Sequence, residues 1–127
     1  TTGHIAFHFF KEKKIFTGDT LFSLGCGRIF EGTHEQMFNS LNKIKELPKD
    51  TEIYCGHEYT LQNGNFCLAN DSTNLKLKEK ITKVKKKLKN NLPSIPTILA
   101  DEIECNIFLK AKDVESFSKL RELKDNF

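Results

Sequence analysis

The chain has 127 residues, which are enough for one domain or two small ones. Its hydrophobic content of 38%, with eleven Phe, can build a core, and its formal net charge of +3 is too small to indicate nucleic-acid binding by itself. No apolar run reaches the ~18 residues of a membrane span, and no signal peptide is predicted. These measures favour a globular protein with neither a membrane nor a nucleic acid as partner.

The first predicted elements form a hairpin. Residues 5–10 are β-branched and aromatic, residues 11–14 are a polar turn, and residues 15–17 are the returning strand. The glycine-rich residues 25–28 are predicted to form a loop that covers another group. This loop is not a P-loop, because the Gly-Lys-Ser/Thr ending is missing.

A helix and a further strand follow. Thr33 can cap the helix, with Gln36 as its capping-box partner, and Pro48 stops it. The predicted buried face has apolar residues at helical spacing, namely Met37, Phe38, Leu41, Ile44 and Leu47. Residues 52–55 are predicted to be a short strand. The order strand, helix, strand indicates the crossover of an α/β sheet.

The composition changes near residues 70–72, which predicts an α/β part over residues 1–69 and a helical part over residues 70–127. A helix is expected over residues 59–68, and a Lys-rich helix over residues 74–91. The apolar stripe of the Lys-rich helix is Leu77, Ile81, Val84 and Leu88. Its lysines fit either a solvated helix face or a nucleic-acid-binding surface.

The C-terminal segment is predicted to end in one more helix. Residues 92–96 contain two prolines and indicate an extended linker. The apolar face of the last amphipathic helix is expected to be Val114, Phe117, Leu120 and Leu123. Arg121 and Lys124 lie one turn apart on this helix and, taken alone, are typical of a solvated face.

The four cysteines are Cys26, Cys55, Cys67 and Cys105. None has Cys-x-x-Cys spacing, so neither a zinc ribbon nor a redox dithiol is indicated. We expect reduced thiols in a cytoplasmic protein. Cys26 and Cys55 lie close in sequence to the candidate site residues, and they fit either small buried apolar residues or catalytic thiols.

Three residues are candidate metal ligands. Asp19 follows an apolar run and a glycine, which is how a buried strand delivers a carboxylate to the edge of a sheet, where α/β ligand sites lie. His4 and His57 also follow glycine. Two imidazoles and a carboxylate suit zinc or iron, and one carboxylate can bridge two ions. Taken singly, Asp19 also fits a turn residue or helix cap, and each histidine also fits a structural role.

These motifs together resemble a known family. In order, they are Thr-x-Gly-His, Phe-Thr-Gly-Asp-Thr-Leu-Phe, Gly-Cys-Gly-Arg-x-Phe-Glu-Gly-Thr and Tyr-Cys-Gly-His-Glu-Tyr-Thr. They resemble glyoxalase II, the hydroxyacylglutathione hydrolase of the metallo-β-lactamase superfamily, and the resemblance covers nearly the whole chain. It implies an α/β fold: the C-terminal half of an αββα sandwich, followed by a helical substrate-binding domain. It also implies hydrolysis of S-D-lactoylglutathione to D-lactate and glutathione.

The resemblance assigns roles to residues of this chain. His4 would bind a first metal ion, His57 a second, and Asp19 would bridge both, which makes Asp19 and His57 the implied catalytic residues. Zinc is the expected metal, and iron and manganese are alternatives. The residues implied to bind substrate are Arg28, Phe30, His57, Tyr59, Arg121 and Lys124. At position 30 many members of the family have Tyr, so the phenolic hydrogen bond is lost or replaced in this chain.

One family motif is absent from the chain. Thr-His-x-His-x-Asp-His belongs to the N-terminal half of the sandwich and supplies four further metal ligands. The resemblance therefore predicts the C-terminal half of an enzyme that is inactive alone and partners an N-terminal half, in cis or as a separate chain. Four phenylalanines would then be candidates for exposed apolar surface, namely Phe7, Phe9, Phe16 and Phe22. The alternative is a non-catalytic remnant or complementing fragment that binds glutathione-like anions or one metal ion.

Overall fold

The computed structural model describes residues 7–9, 11–18, 21–26, 33–56 and 59–127. Strands predominate before residue 56 and helices after it. The elements are β1 (Phe7–Phe9), β2 (Lys14–Gly18), β3 (Leu21–Phe22), β4 (Gly25–Cys26), α1 (His34–Lys45), β5 (Glu52–Cys55), α2 (Thr60–Asn70), α3 (Leu75–Lys89), β6 (Thr97–Ile98), α4 (Leu99–Cys105), α5 (Ile107–Lys110) and α6 (Val114–Asp125). None of the helices in these ranges is both long and apolar enough to cross a membrane.

The larger sheet has the strand order β1-β2-β5-β6. β1 pairs antiparallel with β2, which confirms the predicted hairpin, and β2 pairs parallel with β5 through the crossover helix α1, as the strand, helix, strand pattern predicts. β6 was not predicted. It follows the cis peptide bond between Ile95 and Pro96 and pairs antiparallel with β5.

The glycine-rich segment departs from the prediction of a loop. Gly25 and Cys26 form β4, which pairs antiparallel with β3 in a separate two-stranded hairpin. The extended backbone at these positions comes from pairing with Leu21 and Phe22, because glycine itself has a low strand propensity. Residues 27 and 28 lie outside the described residues.

Local signals in the sequence account for α1. The Thr33 hydroxyl accepts a hydrogen bond from the Gln36 N–H at 3.1 Å, and the Thr33 N–H donates to Gln36 Oε1 at 2.9 Å, so the predicted capping box is confirmed. Met37, Phe38, Leu41 and Ile44 are buried, and Leu47 packs against the core half-buried. The helix ends at Lys45, three residues before Pro48.

The core draws on both predicted parts of the chain. Ile15, Leu41 and Ile53 pack in one cluster with residues from the C-terminal helices, including Phe108 and Phe117. Residues 70–127, the second predicted part, add β6 to the sheet and side chains to this core. The division into two domains between residues 69 and 70 stays a prediction.

The last helix differs from its predicted pattern. Phe117 is buried and Val114 and Leu120 are half-buried, but Leu123 is 53% exposed. Arg121 takes the buried position instead, at 3% exposure. The helix thus turns the face of residues 117, 121 and 124 towards the molecule, which the apolar spacing alone did not indicate.

Candidate active site at the sheet edge

Three strands bring their ends to one edge of the larger sheet. β2 and β5 are parallel neighbours, and Gly18 pairs with Cys55 where they finish. β1 runs the other way, with Phe7 opposite Phe16, so β1 starts at the edge where β2 and β5 end. The residues that follow or precede these ends in sequence are the candidate metal ligands: Asp19 comes directly after Gly18, His57 directly after Gly56, and His4 three residues before Phe7.

The candidate ligands His4, Asp19 and His57 themselves lie outside the described residues, as do Arg28 and Phe30, so their roles stay predictions. Within the described ranges, no group of three or more His, Cys, Asp or Glu side chains could hold a metal ion.

Arg121 joins the last helix to the β3–β4 hairpin. Its Nη1 donates to the Cys26 carbonyl oxygen at 2.8 Å, and its Nη2 and Nε donate to Asp125 Oδ1 at 2.9 and 3.2 Å. Its guanidinium carbon also lies 5.3 Å from the centroid of the Phe108 ring. The interpretation of Arg121 as part of a solvated helix face is therefore wrong, because the side chain is buried and bonded on several sides. Its role in substrate binding stays a prediction.

Lys124 and Tyr59 are accessible residues of the predicted substrate site. Lys124 is half-buried one turn after Arg121, and its charge acts on the Cys26 thiol. Tyr59 is 43% exposed and precedes α2, whose Asn63 N–H donates to the Tyr59 carbonyl. Arg121 contacts Cys26, which lies two residues before Arg28 in sequence.

The buried cysteines have the properties of structural residues. Burial raises the pKa of the Cys26 thiol to about 11, although the nearby Arg121 charge opposes this shift. Burial likewise raises the pKa of Cys67 to about 12 and that of Cys105 to about 11. Because the thiolate is the nucleophile, thiols with such pKa values are unreactive near neutral pH, which favours the structural interpretation of Cys26.

A buried polar network around Glu102 was not predicted. Glu102 is fully buried, and its carboxylate accepts hydrogen bonds from the Leu24 N–H, the Thr97 hydroxyl and Asn106 Nδ2. Lys80 Nζ lies 3.7 Å from Glu102 Oε2 and donates to the Thr97 hydroxyl at 2.6 Å. Burial raises the pKa of Glu102, while Lys80 and the three donors oppose the rise. Nothing in the sequence indicates that Glu102 is buried, because a glutamate on a helix is usually exposed.

A groove adjoins the same edge of the sheet. It has a volume of about 590 Å³ and is lined by the end of β5 together with the end of α3 and the segment that follows it, including Gly56, Leu88, Leu92 and Ile95. Small-molecule sites have volumes of about 300–1,000 Å³ and are mostly apolar. The groove is wide open to solvent and lies beside the strand ends.

The fold is thus a mixed α/β chain in which six helices of the described residues pack around a small sheet whose strand ends can form a ligand site. Residues 58–127 match the family described as "Hydroxyacylglutathione hydrolase C-terminus". The chain belongs to this family, which confirms the resemblance found in its motifs.

Relatives with the same name extend the similarity to the rest of the chain. The hydroxyacylglutathione hydrolase of Pelagibacter ubique is 62% identical over 127 residues, which are 100% of this chain and 53% of the relative. That of Prochlorococcus marinus (strain MIT 9301) is 52% identical over 126 residues, 98% of this chain and 51% of the relative. That of Mesorhizobium japonicum is 44% identical over 141 residues, 100% of this chain and 55% of the relative. The chain spans about half the length of these curated relatives.

Proposed function

We propose that this chain forms part of a hydroxyacylglutathione hydrolase that hydrolyses S-D-lactoylglutathione to D-lactate and glutathione at a site with two metal ions. The observation that carries the proposal is the pairing of Gly18 with Cys55 in parallel strands. It brings the residues just before Asp19 and His57 to one sheet edge, where ligand sites of α/β sheets lie. The names of the relatives support the substrate class.

The donor set of this chain fits divalent metal ions. Two imidazoles, from His4 and His57, and one bridging carboxylate, from Asp19, suit zinc, with iron or manganese as alternatives. Four further ligands would come from an N-terminal half with the motif Thr-His-x-His-x-Asp-His, in cis or as a separate chain.

The open face of the sheet supports such a partner half. Phe16 of β2 is 41% exposed and stacks on Tyr54 of β5 with ring centroids 4.8 Å apart. In the complete αββα sandwich of the proposed enzyme, a second sheet would cover these rings. Phe7, Phe9 and Phe22 were also expected to be exposed, but the structure describes only their backbone.

The residues of this chain would bind and orient the glutathione part of the substrate. We assign Arg28, Phe30, His57, Tyr59, Arg121 and Lys124 to this role. Glutathione has two carboxylates, and cationic side chains suit them. The bonds of Arg121 to Cys26 and Asp125 join the last turns of α6 to β4, which ends two residues before Arg28 in sequence.

The chemistry makes few demands on this chain for proton transfer. When bound, two divalent ions activate water near neutral pH and polarise the thioester carbonyl. The leaving group is a thiolate, which needs no strong general acid. We infer a cytoplasmic location from the free cysteines.

A fusion to an N-terminal half tests the proposal. The N-terminal half of the Pelagibacter ubique relative is joined to this chain, and the metal content and hydrolysis of lactoylglutathione are measured for the fusion and for the chain alone. We expect activity and two bound metal ions in the fusion, and no appreciable activity in the chain alone, because too few ligands remain. The Asp19→Asn fusion is the control and should lose both.

Two results would contradict the proposal. A folded fusion that binds glutathione or one metal ion but never hydrolyses the thioester would favour the alternative of a non-catalytic remnant. Turnover by the chain alone would mean that other residues complete the site.

A further inference from the structure

One side of α3 lines a narrow groove, which we call the lysine groove. It has a volume of about 180 Å³ and lies between α3 and the chain from Ser94 to Cys105. Four lysines of α3 line it at intervals of three or four residues, namely Lys76, Lys80, Lys83 and Lys87. Because an α-helix has about 3.6 residues per turn, these four lysines share one side of the helix.

The positive charge of the chain is concentrated on α3. Its 15 residues include eight lysines and one acid, Glu79, whereas the whole chain has a formal net charge of +3. The chain outside α3 is therefore net negative. A charge distribution of this kind attracts anions to the helix and not to the molecule as a whole.

The acidic residues act on one end of the lysine groove. Lys76 lies at this end and pairs with Glu104 at 3.3 Å. The hydrogen bond and the charge of Glu104 raise the pKa of Lys76, and the charges of Asp101 and Glu79 add to this rise. The positive charge of Lys76 is thus compensated by neighbouring carboxylates.

The other end of the lysine groove is cationic. Lys83 and Lys87 are exposed and form no salt bridge with any residue that the structure describes. Glu79 is one turn before Lys83 on α3, but no salt bridge joins the two. Lys87 follows Lys76 by eleven residues, or about 16 Å along the helix, which is farther than the Debye length of about 8 Å at physiological salt. Lys83 and Lys87 therefore offer their charges to an anion in the groove.

Lys80 is held in the middle of the lysine groove. Its side chain is 13% exposed, and its Nζ donates to the Thr97 hydroxyl at 2.6 Å and lies 3.7 Å from Glu102 Oε2. Glu102 offsets the charge of Lys80, but an ammonium group has three donors, so Lys80 can still donate to a ligand in the groove that it lines. The groove thus combines one ordered donor with the two unpaired cations.

The chemistry and the size of the lysine groove limit its ligand. Among the described residues that line it there is no arginine and no aromatic side chain. Lysine binds phosphate groups as a point charge, whereas single-stranded nucleic acids are bound with the help of aromatic stacking. The volume of about 180 Å³ is below the roughly 300–1,000 Å³ of sites for drug-sized molecules. A small anion with several negative charges satisfies all of these conditions.

We infer that the lysine groove binds a small polyphosphate anion, such as diphosphate, through Lys80, Lys83 and Lys87. Lys80 and Lys87 are about 10 Å apart along the helix, and their flexible stems allow both ammonium groups to reach one anion between them. The inference gives these lysines a role other than a solvated helix face or a nucleic-acid-binding surface. It goes beyond the proposed thioester hydrolysis and does not depend on it.

Titration calorimetry of the 127-residue chain with inorganic diphosphate, at constant ionic strength, tests the inference. Lys83→Gln/Lys87→Gln removes the two unpaired cations of the groove. The matched control is Lys85→Gln/Lys89→Gln, which removes the same charge at the same spacing from about the opposite side of α3, where neither lysine lines the groove. Citrate and a thymidine oligonucleotide serve as comparison ligands, and circular dichroism checks that each variant folds.

We expect the unsubstituted chain to bind about one diphosphate ion, and to bind citrate more weakly. Lys83→Gln/Lys87→Gln should bind diphosphate at least about tenfold more weakly, as for the loss of one charge-assisted hydrogen bond or more. Lys85→Gln/Lys89→Gln should keep nearly the full affinity, because salt screens exposed charges on the far side of the helix.

Four results would overturn the inference. Equal losses of affinity in the two double variants would assign binding to the overall charge of α3, and no binding of diphosphate at millimolar concentration would exclude the site. Citrate that binds as tightly as diphosphate would exclude selectivity for phosphate. An oligonucleotide that binds more tightly than diphosphate, and is weakened equally by both double variants, would assign α3 to nucleic acids. None of these results bears on the proposed hydrolysis, whose test is the activity of the fusion.

Discussion

Arg121→Ala should destabilise this chain far more than Lys124→Ala, although the two cationic residues are one helical turn apart. The substitution leaves the carbonyl of the buried Cys26 without its donor, which costs about 1–3 kcal/mol. Loss of the contact with the Phe108 ring adds ~0.5–2 kcal/mol. The ion pair with Asp125 adds less than about 1 kcal/mol, because the Asp125 side chain is 36% exposed and water can replace the guanidinium.

These contributions predict that the free energy of unfolding falls by about 1.5–6 kcal/mol in Arg121→Ala, a large share of the roughly 5–15 kcal/mol of an ordinary domain. Lys124→Ala, at a half-buried position, should lower it by less than about 1 kcal/mol. Urea unfolding monitored by circular dichroism measures both. Equal effects of the two substitutions, or a loss below about 0.5 kcal/mol in Arg121→Ala, would refute the assignment of Arg121 as a structural link.

The remaining predictions concern pH, kinetics and helix capping. Burial raises the pKa of Glu102 above its usual 4.5, so its protonated form contributes stability that is complete below pH 4.5 and is lost as pH rises through the folded-state pKa. Urea unfolding measured against pH should show this loss in the unsubstituted chain and not in Glu102→Gln. In the active fusion, Lys124→Ala should raise the KM for lactoylglutathione roughly tenfold and change kcat little, as steady-state kinetics would show. Asp19→Asn and His57→Ala should instead abolish turnover and reduce the metal content measured by elemental analysis. Thr33→Ala should lower the free energy of unfolding by ~1 kcal/mol in urea titrations, because the Gln36 N–H loses its acceptor, and Thr33→Ser should have little effect.

The elements predicted correctly from the sequence are those that local signals specify. The capping box of Thr33 and Gln36 lies within four residues, and the apolar faces of α1 and α3 repeat at helical spacing. The parallel pairing of β2 with β5 followed from the order of elements, because a crossover helix between two strands returns the chain in the same direction.

The features that the sequence did not reveal depend on contacts between distant residues. Glu102 is separated by 78 residues from the Leu24 amide that it binds, and Arg121 by 95 residues from Cys26. Glu102 does not differ in type from the exposed acids of neighbouring helices. Arg121 does differ, because the cationic residues of the other described helices are lysines, but its type alone does not indicate burial. The strand Thr97–Ile98 has two residues, too few for an alternating pattern, and only its pairing with β5 defines it.

The predicted site residues came from motifs and not from periodicity. Asp19 and His57 each follow a strand and a glycine. The register shift between Phe16 and Gly18, which sets Gly18 opposite Cys55, is seen only in the structure. That parallel neighbours end at the same edge of an α/β sheet could be expected. The buried state of Arg121 could not, because a cation on an amphipathic helix is usually solvated.

The central claim is that His4, Asp19 and His57 hold metal ions where β2 and β5 end. An anomalous difference map, recorded at the zinc absorption edge from crystals of the zinc-loaded fusion, tests it most directly. We expect two peaks about 3.5–4 Å apart, with Asp19 bridging them, His4 on one and His57 on the other. Peaks at another place in the fold, or peaks that Asp19 does not contact, would contradict it.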